Sequence, residues 1–174
     1  MDNMKTTMKL KDHDVEQVAK IISMAFKRGN KVLVCGNGGS ACDALHFAGE
    51  LVCTYKNHDR KGLPVICLNS NVAVLTAWGN DKSYDDIFAR QIEALGTKGD
   101  IFIGLSTSGK SKNIVKAMEM AGKQGLLRIL ITGNNKEEPC DWVIHLRSKD
   151  TPRVQENTIY FLHELANRIE KVMF

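Results

Sequence analysis

The sequence predicts an α/β fold, a doubly wound parallel five-stranded sheet flanked by helices, with an additional N-terminal helix. Five short runs rich in β-branched and apolar residues alternate with longer segments that have helical spacing. These runs are apolar on both faces rather than alternating, which is typical of parallel strands covered on both sides. With 174 residues, 43% of them hydrophobic, the chain is long enough for one domain with its own core.

The first predicted helix covers residues 11–28 and ends at Gly29. Its apolar stripe consists of Val15, Val18, Ala19, Ile22, Ala25 and Phe26. This stripe is generous for one small domain, so we expect the helix to pack on a partner subunit. We therefore divide the single domain, residues 1–174, into an N-terminal interface helix (1–30) and an α/β core (31–174).

The core is predicted to begin with a strand at 31–35, a helix at 40–55, a polar loop at 56–62 and a second strand at 64–68. A turn at 69–71 caps a short helix that ends near Trp78, because Gly79-Asn80-Asp81 is expected to break it. Helical character resumes over 84–95, and Gly96 and Gly99 close that segment.

The second half is predicted to contain strands at 100–105, 127–132 and 142–146. A helix over 111–124 separates the first two of these strands. Pro152 opens a last helix that runs to about Met173, since proline is well tolerated in a first helical turn.

The segment Gly36-Asn37-Gly38-Gly39-Ser40 joins the first strand to its helix and is a candidate anion site. Its glycines let the backbone bend and approach a ligand, and the new helix presents unpaired N–H groups. Ser40 can cap the helix, and Asn37 and Ser40 can both reach a sugar or phosphate oxygen. Such turns are also ordinary connections in α/β proteins, and this one is neither a Walker loop nor a GxGxxG dinucleotide loop.

A second candidate loop, Ser106-Thr107-Ser108-Gly109-Lys110-Ser111, follows the third predicted strand and precedes a helix. Its hydroxyl and N–H groups would form a mostly neutral cradle for a phosphate. Both loops lie at carboxyl ends of strands, where open α/β sheets bind ligands. Two such loops in one domain favour a phosphorylated ligand over a pair of ordinary capped turns.

His46 and Glu50 are four residues apart in the second predicted helix, so they share one face. A histidine and a carboxylate at this spacing can bind a metal or share acid–base chemistry, although most such pairs are simply solvated. In the last helix, Gln155 and His163 are eight residues apart, about 80° around the axis and about 12 Å along it. They can contact one ion only if both side chains lean together or belong to different subunits.

Composition limits the possible partners and compartment. The net charge of +4 comes from scattered Lys and Arg, which does not indicate a nucleic-acid surface but suits a small anionic substrate. The five cysteines are odd in number and have no CxxC spacing, so we expect reduced thiols in a cytoplasmic protein. The N-terminal segment has no apolar signal region, and no apolar run reaches the length of a membrane span.

Four motifs occur in order: GNGGSACDALHFAGE, GND at 79–81, STSGKS, and RVQENTIYFLH at 153–163. With these motifs the chain resembles the sugar-isomerase (SIS) domain family and, within it, the phosphoheptose (sedoheptulose 7-phosphate) isomerases. The resemblance covers nearly the whole chain. It implies an SIS-type fold and a homotetramer with active sites at subunit interfaces.

The resemblance also implies residue roles. Glu50 and His163 would be catalytic, and one zinc ion per subunit would be held by His46, Glu50, Gln155 and His163. The phosphosugar would be held by Asn37, Gly38, Gly39, Ser40, Glu50, Asn80, Asp81, Ser106, Thr107, Ser108, Ser111 and Gln155. The implied reaction converts sedoheptulose 7-phosphate to D-glycero-D-manno-heptose 7-phosphate, a precursor of bacterial surface heptose in lipopolysaccharide or capsule.

Two departures from the family pattern and two other functions bear on this interpretation. Thr54 stands where relatives often have Arg, so Lys56, Arg60 or Lys61 would have to supply that charge, or the substrate differs. Pro152 replaces a common acidic residue.

One alternative function is that of a non-catalytic SIS protein that acts through a partner such as a replication initiator, but such relatives lack the full metal set. The other is a phosphosugar sensor, which is usually fused to a DNA-binding domain.

Overall fold

A computed structural model describes residues 12–133 and 140–174. The first residue of the predicted N-terminal helix, at position 11, lies outside the described residues. In chain order the elements are α1 (Asp12–Lys27), β1 (Val32–Gly36), α2 (Gly39–Val52), β2 (Val65–Cys67), α3 (Val72–Asp81), a 3₁₀ turn (Tyr84–Asp86), α4 (Ile87–Leu95), β3 (Ile101–Leu105), α5 (Lys112–Lys123), β4 (Leu127–Thr132), β5 (Trp142–His145) and α6 (Thr151–Met173).

The five strands form one parallel sheet in the order β2-β1-β3-β4-β5, which confirms the predicted architecture. The chain turns from one side of β1 to the other after β2, so the switch point lies between β1 and β3. In the register of these two strands, Gly36 pairs with Leu105. Both candidate loops therefore start side by side at the carboxyl edge of the sheet.

Alternate residues of the central strands β1 and β3 point to two separate apolar cores. Val32 and Val34 belong to the core that α1, α2 and α6 cover, whereas Leu33 and Cys35 belong to the core that α4 and α5 cover. Burial on both faces explains why the strand sequences are apolar throughout rather than alternating.

The apolar stripe of α1 packs within its own chain. Val15, Val18 and Ile22 are at most 2% exposed and Phe26 is 8% exposed, in the core shared with α6. The use of this stripe as evidence for a subunit interface is therefore wrong, because the long last helix covers it.

An apolar helix with little cover lies elsewhere, in α3. Its sequence, VAVLTAWGND, is mostly apolar, yet the described part of the chain buries none of its residues. Val72, for example, is 66% exposed.

The predicted break of this helix at Gly79 is wrong. Lys82 and Ser83 both donate to the Trp78 carbonyl, so the helix continues through Asp81 and ends when Ser83 becomes extended.

A buried ion pair fixes the loop after α2. Glu170 of α6 accepts hydrogen bonds from Arg60 and from the backbone N–H groups of Tyr55, Lys56 and Asn57. Because these N–H groups bond to Glu170, α2 ends at Val52 and not at the predicted residue 55. Burial alone would raise the pKa of Glu170, but these hydrogen bonds outweigh it and hold the pKa below its ordinary value.

No helix among the described residues is long and apolar enough to span a membrane.

We expect Glu170→Gln to destabilise the fold by about 3–5 kcal/mol, because it leaves the Arg60 guanidinium buried without its carboxylate. The matched control is Glu93→Gln, which breaks the exposed Arg90–Glu93 pair and should cost at most about 1 kcal/mol. Urea denaturation at pH 7 measures both free energies of unfolding. Equal losses in the two variants would contradict a structural role for the buried pair.

Candidate active site

The β1–α2 loop bends where the sequence predicted, at glycines that tolerate no side chain. Gly38 has φ 55°, and a Cβ on Gly36 would lie 2.5 Å from the Ser40 carbonyl oxygen. The helix begins one residue earlier than expected, at Gly39. Gly38 is its N-cap, and no described side chain caps it, so the predicted cap at Ser40 is wrong. Ser40 instead lies buried in the first turn.

The side chain of Asn37 links the two loops. Its amide forms a reciprocal pair with Asn113, with N···O distances of 2.8 and 2.9 Å, and it also accepts from the Tyr84 hydroxyl at 3.1 Å. Asn113 is 3% exposed and lies in the first turn of α5. It thus ties the β1–α2 loop to the start of the helix that follows the Ser106–Ser111 loop.

Hydroxyl groups of the Ser106–Ser111 loop face one another at the start of α5. The Ser106 hydroxyl lies 3.3 Å from that of Ser111, and Ser108 Oγ accepts from the Lys110 N–H. A cavity of about 200 Å³ beside the loop is lined by Thr107, Ser108, Lys110, Gly133, Ser148 and Lys149. Lys149 is a second cation near this loop that the sequence pattern did not indicate.

The segment with Asn80 and Asp81 forms the exposed carboxyl end of α3. The two side chains hydrogen-bond to each other, with Asn80 donating to Asp81 at 2.8 Å. Tyr84, just beyond them, bonds to Asn37 and so connects this segment to the β1–α2 loop.

Three predicted metal ligands come together where α2 packs on α6. His46 Nε2 lies 3.0 Å from Glu50 Oε1 and 3.1 Å from His163 Nε2. One ligand atom from each of the three side chains lies within 4.8 Å of the others. A tetrahedral zinc ion with bonds of about 2.0–2.2 Å holds its ligand atoms roughly 3.3–3.6 Å apart, so the 3.0 and 3.1 Å separations from His46 are close to those that such an ion needs.

Gln155 lies at the other end of α2. Its side-chain amide fills the space that a Cβ on Gly39 would need. Gly39 and His46 are separated by about 10 Å along the helix axis. In this chain Gln155 is therefore placed beside the β1–α2 loop, and its predicted role as a metal ligand stays a prediction.

Two further side chains, which the sequence reasoning missed, face this region. Asp43 shares the helix face of His46 and Glu50, and its Oδ2 is buried without a hydrogen-bond partner among the described residues. Burial raises the pKa of the Asp43 carboxyl from 3.8 to about 6, and His46 opposes the shift only in part. Tyr55 stacks on His163, with ring centroids 5.9 Å apart.

Three cations were proposed to supply the positive charge that is missing at Thr54, and the structure shows that they are not equally available to a ligand. Arg60 is buried on Glu170 and on the carbonyl groups of Glu50 and Leu51, so its guanidinium is already used. Lys61 is exposed, and Lys56 Nζ lies 5.4 Å from the Tyr55 ring centroid. Lys56 thus contacts the ring that stacks on His163.

The fold and this edge of the sheet define the class of protein. The chain belongs to the SIS domain family, whose model it matches over residues 1–133, and within that family to the phosphoheptose isomerases. It is 47% identical over 163 residues to the phosphoheptose isomerase of Thermodesulfovibrio yellowstonii, covering 92% of this chain and 81% of the relative. It is 44% identical over 172 residues to phosphoheptose isomerase 2 of Campylobacter jejuni, covering 95% and 85%.

Solved structures give the same classification. A phosphoheptose isomerase from Francisella tularensis superposes with a TM-score of 0.89 at 33% identity, covering 97% of this chain and 91% of that one. The phosphoheptose isomerase GmhA from Neisseria gonorrhoeae superposes with a TM-score of 0.87 at 32% identity and the same coverage. These likenesses confirm the family that the four sequence motifs predicted.

Proposed function

We propose that this protein is an aldose–ketose isomerase that converts sedoheptulose 7-phosphate to D-glycero-D-manno-heptose 7-phosphate for bacterial surface heptose. The observation that supports this most directly is the convergence of His46, Glu50 and His163. It occurs in a chain that is similar over most of its length to phosphoheptose isomerases. Ketose–aldose interconversion requires a base next to the carbonyl carbon and an acid at the carbonyl oxygen.

Zinc is the metal that this ligand set favours, because imidazole nitrogens and a carboxylate oxygen are among its preferred ligands. A bound zinc ion would supply Lewis-acid polarisation of the substrate carbonyl. Gln155 remains part of the proposed ligand set if its side chain leans toward His163 or comes from a neighbouring subunit.

In the proposed reaction Glu50 removes the proton from C1 of the ketose and returns it to C2. His163 gives a proton to the C2 carbonyl oxygen as the enediol forms and takes the proton from the C1 hydroxyl as the aldehyde forms. The side chains lie close enough for one substrate to contact both, since each is within hydrogen-bond distance of His46. The main electrostatic task of the site is to stabilise the negative charge that develops on the enediolate oxygen.

We place the phosphate at the two glycine- and hydroxyl-containing loops, with N–H groups and helix N-termini as the main donors. The carboxyl edges of β1 and β3 bring these loops together, and Asn37 and Asn113 hold them in register. Asn80 and Asp81 are proposed to contact sugar hydroxyls from the end of α3. Asp43, with its unpartnered oxygen, is a further hydrogen-bond acceptor for the sugar.

We also propose that the protein is a homotetramer with active sites at subunit interfaces, and that α3 contributes to an interface. Its apolar residues line a cavity of about 600 Å³ together with α4, and Val72 and Leu95 are exposed. Exposed apolar surface of this kind is typical of association sites. A stable, active monomer in sedimentation would contradict this assembly.

The direct test of the function is incubation of purified protein with sedoheptulose 7-phosphate, with and without zinc, followed by product identification. We expect heptose 7-phosphate to form and chelation to abolish its formation. If zinc binds but the sugar is unchanged, the alternative function gains support, namely a non-catalytic SIS protein that acts through a partner such as a replication initiator. All four predicted metal positions are present in the sequence and three of them converge in the structure, which favours the enzyme.

We expect Glu50→Gln to fold normally and to lose isomerisation by about 100-fold or more, the scale of losing a general base. Glu119→Gln on α5 is a suitable control, because it changes the charge equally outside the site. Initial rates with sedoheptulose 7-phosphate measure both. Activity of Glu50→Gln within a few-fold of wild type would remove Glu50 from the proton transfer.

For the phosphate, we expect removal of the Ser106 and Ser108 hydroxyls together to weaken substrate binding about 100-fold. Hydrogen bonds to a charged group contribute about 1.5–3 kcal/mol each, and 1.4 kcal/mol corresponds to a tenfold change in affinity. Lys110→Ala and Lys149→Ala should each cost less, because the N–H groups and hydroxyls remain.

Calorimetry in a Glu50→Gln background measures these affinities without turnover. If either lysine variant binds more weakly than the double serine variant, charge rather than the hydroxyl cradle holds the phosphate.

A further inference from the structure

We propose that Tyr55 is a positioning residue that holds the His163 imidazole in the orientation needed for metal binding and proton transfer. The inference builds on the proposed isomerase function, but the contacts that carry it do not depend on the identity of the sugar. No family motif described above includes Tyr55, which follows the end of α2.

The two rings form a near-parallel stack. Their centroids are 5.9 Å apart and their planes differ by 22°. His163 meets His46 edge-on, with centroids 5.0 Å apart and an interplanar angle of 65°. The Tyr55 ring thus restricts rotation of the imidazole while His163 Nε2 stays 3.1 Å from His46 Nε2. A half-buried histidine on a helix face has other rotamers, and this stack disfavours them.

The backbone of Tyr55 is itself fixed to the helix that carries His163. Glu170, two turns beyond His163 on α6, accepts from the N–H groups of Tyr55, Lys56 and Asn57 at 3.3, 3.0 and 3.1 Å. The Arg60 guanidinium also donates hydrogen bonds to the Glu170 carboxylate and to the Glu50 carbonyl oxygen. The loop therefore connects the ends of both ligand-bearing helices and holds the ring at a defined position.

Two side-chain contacts of Tyr55, with His163 and with Lys56, are made by its ring. It stacks on His163, and Lys56 Nζ lies 5.4 Å from its centroid. Phenylalanine retains a ring of the same size and loses only the hydroxyl, whereas leucine fills part of the space without an aromatic face. These two substitutions separate orientation by the ring from chemistry at the hydroxyl.

The test compares Tyr55→Leu and Tyr55→Phe with wild type. Zinc affinity is measured by competition with a chromophoric chelator, kcat and KM are measured with sedoheptulose 7-phosphate, and thermal unfolding is measured in chelator. We expect Tyr55→Leu to raise the zinc dissociation constant about tenfold and to lower kcat by a similar factor, with KM little changed. Tyr55→Phe should stay within about twofold of wild type in each quantity.

Wild-type zinc affinity and kcat in Tyr55→Leu would overturn the proposal. Equal damage in the Leu and Phe variants would also overturn it, because the hydroxyl would then be the active group. If Tyr55→Leu does not fold, Tyr55→Met provides the same comparison with a more adaptable side chain. If wild type binds zinc but does not isomerise the sugar, the proposed function fails while the zinc affinities still decide the role of Tyr55.

Discussion

The packing of α2 against α6 is the constraint on which the candidate site depends. His46 and Glu50 belong to one helix and His163 to the other, and the shared apolar core fixes the spacing between them. Phe47 and Leu51 lie on the buried face of α2, and Phe161 and Leu165 lie on that of α6. Because the ligands alternate with these core residues along each helix, a change in the packing would also move the ligands.

The sheet positions the second half of the candidate site, the two loops, just as helix packing positions the metal ligands. Pairing of β1 with β3 brings two loops from distant parts of the sequence to one edge, where the amide pair of Asn37 and Asn113 joins them. The start of α2 belongs to both halves, since Gly39 leaves room for Gln155 and the histidine lies two turns further on. A phosphorylated sugar held at the loops would therefore extend along α2 toward His46 and Glu50.

Apolar runs and glycines were sufficient to predict the strands, their parallel arrangement and both loops, because these features depend on local sequence. Contacts between distant helices were not predictable in this way. The stripe of Val15, Val18 and Ile22 could equally cover a partner or its own chain, and the structure places it on α6. Asn113 and Tyr55 gave no signal in the sequence, because a polar residue in a first helical turn and an aromatic residue after a helix are common. Their partners, Asn37 and His163, are distant in sequence and are identified only by the structure.

X-ray absorption at the zinc edge tests most directly whether α2 and α6 jointly hold one ion. We expect one zinc per chain, with two imidazole nitrogens and a carboxylate oxygen at about 2.0–2.2 Å, and loss of one imidazole from the spectrum of His163→Ala. An unchanged spectrum in His163→Ala, or a wild-type protein that takes up no zinc, would contradict the account.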